Sequence, residues 1–163
     1  MKRTLIIALL IVATLLGCTS KRRESQTIGA QMLETLNKQG LSLLVFNNDL
    51  LTTHDNRGVR DLLTLVATQP DRLKGAIVAD KVVGKAAAAL MAAGGVVEVN
   101  TNIICTPARK LLEGENIKVF ATKEVPQILN RNKSAMCPID TQLEGIESVE
   151  ECVKILQNIP PVL

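Results

Sequence analysis

The chain contains no tryptophan and no tyrosine, only two phenylalanines, Phe46 and Phe120, and a single histidine, His54, among its 163 residues. Proteins that grip bases or single strands stack them on aromatic rings, and two rings offer almost nothing to stack on. Large charge of one sign is missing as well. The formal net charge is +3, and setting aside Lys2 and Arg3 leaves 17 basic side chains against 16 acidic ones. No basic field is left to attract a duplex, so nucleic acid is not an expected partner. Four cysteines stand far apart, with no CxxC pair. With one histidine beside them, a zinc site of the usual Cys/His kind has little to draw on, and no metal or cofactor is expected.

What is present is aliphatic: 47% of the chain is hydrophobic, enough for one sizeable core, and the length suits one domain. The first of three segments is residues 1–17. Lys2 and Arg3 are followed by an apolar stretch from Thr4 to Gly17, shorter than the ~20 residues that span a bilayer and right for the h-region of a secretory signal. It ends in Leu15-Leu16-Gly17-Cys18, which resembles the lipobox of bacterial lipoproteins. That resemblance implies cleavage before Cys18, acylation of Cys18, and an exported protein anchored by lipid to a membrane of the cell envelope. Residues 18–26 form a polar tether whose Lys21, Arg22 and Arg23 are read as a solvated run, with contact to anionic headgroups as the alternative. In an oxidising space, Cys105, Cys137 and Cys152 are odd in number, so at least one stays unpaired.

Residues 27–163 read as one α/β domain. Ile28, Met32, Leu33 and Leu36 recur at helical spacing and Gly40 stops the helix. Strands over 41–46 and 50–54, joined by Asn47-Asn48-Asp49, make a hairpin. A helix with the stripe Val59, Leu62, Leu63 and Val66 follows, capped by Asp55 or Asn56. Strands are expected at 75–79, 96–104 and 117–121, with helices at 84–93 and 107–112 between them. This alternation implies a parallel sheet with right-handed crossovers. Pro126 opens a short helix ending near Leu129, residues 130–138 are loop, and Ser148-Val-Glu-Glu151 has capping-box spacing for a last helix carrying Val149, Cys152, Val153 and Leu156 on one face.

The succession of helix, hairpin and βα units resembles the cytidine-deaminase-like fold. Asn56-Arg-Gly-Val-Arg60, the run from Lys74 to Ala87, Ile128-Leu-Asn-Arg131 and Cys137-Pro138 resemble domain-of-unknown-function family 1893, which is held to share that fold. The resemblance implies a three-layer α/β architecture: a mixed sheet with an N-terminal hairpin followed by parallel βα units. A zinc deaminase needs His-x-Glu at one helix start and Pro-Cys-x-x-Cys at the next. Here the first reads His54-Asp-Asn56 and the second Asp80-Lys-Val-Val-Gly-Lys85, so the zinc triad is missing.

Lys81, Gly84 and Lys85 stand at the start of the second of these helices. Free N–H groups, the helix dipole and two ammonium groups make an anion site there, with Arg60 at the same sheet edge and Asp80 orienting the cations. The expected function is therefore the binding of a small anionic ligand by Arg60, Asp80, Lys81, Gly84 and Lys85. Two alternatives stand beside it. One is an enzyme using Lys85 or Cys105 as nucleophile with Asp80 or His54 managing protons. The other is an envelope scaffold that binds an unknown protein partner through the hairpin edge or the helical tail.

Overall fold

The computed structural model of the chain describes residues 28–56 and 58–159. The expected signal peptide, Cys18, the tether and Arg57 lie outside the described residues. Among those described, no helix is long and apolar enough to cross a membrane.

Helix α1 (residues 28–39) ends at Gly40, whose φ of +70° lets the chain reverse. Strands β1 (Leu43–Asn47) and β2 (Leu50–His54) form the hairpin, turning at Asn48 and Asp49, both at positive φ. Helix α2 (Arg60–Thr68), a single 3-10 turn (Pro70–Arg72), β3 (Ile77–Val83), α3 (Lys85–Ala93), β4 (Glu98–Cys105), α4 (Thr106–Gly114) and β5 (Lys118–Val125) follow. Short α5 (Pro138–Thr141) and α6 (Val149–Gln157) close the domain. The five strands lie in the order β2-β1-β3-β4-β5. β1 is antiparallel to β2 and to β3, and β3, β4 and β5 are parallel. The hairpin followed by parallel βα units is thus the observed architecture.

Three layers follow from the alternation of side chains along the strands. Leu44 and Ala79 face α1, where they bury Met32 and Leu36. Leu43, Val45, Val78 and Val99 face the other way, into the core built with the remaining helices. α3 is the central helix of that layer. Ala86 to Met91 are all buried, because the sheet, α2, α4 and α6 surround it and small alanines admit close approach. Each fully buried Leu or Met, such as Leu90 and Met91, contributes roughly 1.5–3 kcal/mol. The α1 face is partly polar. α1 rests its backbone on Asn100 at Gly29, where any side chain would collide with the Asn100 amide. Asn100 in turn donates to Glu98 Oε1 at 3.0 Å.

Several boundaries differ from expectation. β3 does not end at Ala79. It continues through Lys81, Val82 and Val83, pairing Val82 with Ile103 and Val83 with Ile104, because β-branched residues favour the pleated strand and β4 supplies the partner. β5 likewise runs on to Val125, opposite Cys105. No helix forms after Pro126; Leu129 bridges to Met136 and Cys137 N donates to Ile128 O at 2.8 Å, so tertiary pairing overrides the local helix signal. Helix α5 falls partly within the stretch expected to be loop. Neither Asp55 nor Asn56 caps α2; its N-cap is Val59, without a side-chain bond. The last helix starts as expected, with the Ser148 hydroxyl accepting from Glu151 N at 3.3 Å.

Candidate functional site

β3 and β4 end at the same rim of the sheet, and the rim carries a cleft of about 220 Å³. Ligands of open α/β sheets bind at the carboxyl ends of parallel strands. Asp80, Val82 and Gly84 come from β3 and its end, Val59 from the entry to α2, and Cys137 and Asp140 from the segment that folds back over α3.

Asp80 pairs with Leu43 and Thr101 in the sheet and has the same strand parity as Val78, so it belongs to the face carrying most of the helices. Its Oδ1 accepts from Val82 N at 3.0 Å. Burial pushes its pKa up to about 7, against backbone N–H bonds from Val82 and Lys81, and the Asp61 carboxylate raises it further. Asp61 is itself buried and holds the β2–α2 loop: Oδ2 accepts from Asn56 N at 3.0 Å and Oδ1 from Asn56 Nδ2 at 2.6 Å. The bond therefore runs from the loop to a side chain inside the helix, the reverse of the expected cap.

The N-terminus of α3 is already filled. Asp140, only 7% exposed, accepts from Ala86 N at 3.0 Å through Oδ1. Burial raises its pKa, while the Ala86 and Lys85 N–H groups and the Lys85 charge lower it. Gly84 serves this contact, since a Cβ there would collide with Asp140 Oδ2. The anion seat expected at this helix start thus holds the chain's own carboxylate, the preferred partner of a positive helix end. Lys85 does not point at the cleft either. Its Nζ donates to Leu143 O at 2.8 Å, and it borders a separate depression near Thr106 and Lys110. The structure brings Asp80, Lys81 and Gly84 to the cleft and leaves Lys85 and Arg60 off its lining.

Cys105 is 2% exposed at the end of β4. Burial pushes its thiol up and nearby Asp140 adds to this, against an N–H from Ala108, the opposite of an activated nucleophile. Cys137 is half-buried at the cleft, Cys152 is packed in the core, and both are free, as is Cys105. The His54 ring lies 3.2 Å from Thr52 Oγ1. Among the described residues no three His, Cys, Asp or Glu side chains converge to hold a metal. The start of α3, Gly84-Lys85-Ala86-Ala87, carries no cysteine, histidine or carboxylate. The donor set does not fit catalytic zinc.

Sequence reasoning missed Asp140, Asp61 and Ser42, another cleft-lining residue. Asp140 lies 54 residues beyond the amide it caps, and no local pattern announces such a bond. Pro138, the first residue of α5, is a local signal for a helix start, but it says nothing of the amide that Asp140 reaches.

The fold and cleft define a mixed α/β domain with a small pocket at the carboxyl ends of its parallel strands. Residues 31–159 match the family described as a domain of unknown function, DUF1893, and the chain belongs to that family. It is similar to the crystal structure of a DUF1893 family protein, TM1506, from Thermotoga maritima, with 26% identity and a TM-score of 0.71 over 78% of this chain and 86% of that one. No curated protein matches it.

Proposed function

We propose that this protein is a lipid-anchored, deaminase-like domain that binds a small molecule in the β3–α3 cleft and lacks zinc-dependent deamination. The observation that carries the binding reading is the cleft itself, with the raised carboxyl of Asp80 on its wall. Desolvated titratable groups in concave sites are characteristic of functional positions. The superfamily assignment is supported by the hairpin and parallel βα units around the sheet, and the missing ligands at the α3 start argue against hydrolysis by a zinc-held water. The anchor is supported by the lipobox-like Leu15-Leu16-Gly17-Cys18 alone. Acyl chains added together at one cysteine hold a protein to a bilayer where a single chain would not.

An enzyme using Lys85 or Cys105 is disfavoured, since the amine is engaged with Leu143 O and the thiol is buried and raised. Scaffolding is the second reading. Leu50 and Leu51, 43% and 42% exposed, sit on the edge strand β2, and edge strands invite pairing.

Native and denatured mass spectrometry of the protein, taken gently from its producing cells, test these points together. A covalent mass on the Cys18 peptide that survives denaturation is the expected sign of lipidation. A small mass present only under native conditions is the expected ligand. An unmodified N-terminus beginning at Met1 removes the anchor. A bare folded mass with a co-purifying protein moves the function to scaffolding.

A further inference from the structure

We propose that the cleft takes a small organic cation, an amine or amidinium, whose N–H groups bond to the carboxylate of Asp80. The inference rests on the ligand-binding reading and names the class of ligand. Size sets the first limit. A cleft of about 220 Å³ has room for a single ring or a short chain. Its apolar surface comes from Val59, Val82, Ile128 and Ile139, so the body of the ligand is hydrocarbon or a ring face.

Charge sets the second limit. Asp80 and Asp140, from distant parts of the chain, both reach the cleft, and the Asp61 carboxylate acts on Asp80 electrostatically. The cations expected to favour an anion are not set to do so. Lys85 Nζ is bonded to Leu143 O and Arg60 is not part of the lining; Lys81 does line the cleft, but it is exposed and follows Asp80 in the strand, where the pleat turns successive side chains to opposite faces. The α3 N-terminus would attract an anion, but Asp140 already accepts from it. Two carboxylates, Asp80 and Asp140, thus stand against one lysine in the lining, and an entering cation meets its counter-charge at Asp80. Asp80 has acceptor capacity to spare, because Val82 N and Lys81 N use only part of the roughly four lone-pair sites of a carboxylate. Its raised pKa agrees: a carboxylate already paired with a cation is held low, whereas Asp80 rises to about 7.

Benzamidine and benzoate test this, being alike in shape and opposite in charge. Each is titrated into the intact protein in detergent at pH 8, following backbone amide resonances. The expected result is saturable benzamidine binding that moves the Gly58, Gly84 and Ala86 amides, with benzoate at least tenfold weaker. Asp80→Asn should weaken benzamidine at least tenfold while leaving the circular dichroism spectrum intact. Benzamidine remains a cation at both pH 6 and pH 8, so with Asp80 titrating near 7 its apparent affinity should fall about tenfold between pH 8 and pH 6. Benzoate binding as well as or better than benzamidine would overturn the cation and leave the ligand-binding reading standing. Silence of those amides to both probes would remove both. Equal benzamidine binding by wild type and Asp80→Asn would also overturn the proposal.

Discussion

Replacing Asp80 with Asn should stabilise the folded protein at pH 8 and change it little at pH 4. In the fold this carboxyl titrates near 7, against an ordinary value of 3.8, because burial disfavours its charged form. Between those values the folded chain holds a proton that the unfolded chain has released. Stability therefore falls as pH rises from about 4 to about 7 and is level above that, the sign expected when the folded state binds more protons. At 1.36 kcal/mol per pH unit the full interval corresponds to a ceiling of about 4 kcal/mol. Asp80 keeps some exposed surface, so water recovers part of that cost, and a gain of about 2 kcal/mol is the working expectation. The amide introduced by Asp80→Asn would keep an oxygen for Val82 N, which now bonds Oδ1 at 3.0 Å, so the shape of the strand end is preserved. Urea unfolding of both proteins at pH 4, 6 and 8 reads the difference directly. A difference that is the same at all three pH values, or a destabilised variant at pH 8, would refute the claim that Asp80 is desolvated.

Two further outcomes follow from the α3 start and the thiols. Gly84→Ala should lower stability by roughly 1–3 kcal/mol, the usual cost of overpacking, since its Cβ would displace Asp140 from the Ala86 amide; a thermal midpoint unchanged from wild type would show that Asp140 can move freely. With a maleimide at neutral pH, peptide mapping should find Cys137 labelled well before Cys105 and Cys152, which are 2% and 0% exposed and whose thiols burial raises. Early labelling of Cys105 would reopen it as a nucleophile.

Elements whose signals are local were readable from the amino-acid order. Helical spacing from Ile28 to Leu36, the Asn48-Asp49 turn and the Ser148 cap reappear in the fold, because side-chain periodicity and turn chemistry act over a few residues. Alternating strands and helices after residue 75 pointed to the parallel half of the sheet, since crossover rules leave few topologies. The length of β3 was not legible: Lys81 to Val83 become strand only when β4 lies beside them. The sheet rim was legible for three of the five expected binding residues, and the partners of the charged groups were not. Asp80, Lys81 and Gly84 were placed at one rim from sequence, and they do line one cleft. The lysine and helix end that promised an anion site are satisfied instead by Leu143 O and Asp140, partners 58 and 54 residues away along the chain. Only the folded chain decides which buried charge finds which partner, because that depends on distance through space and on the exclusion of water, and neither is written in local sequence.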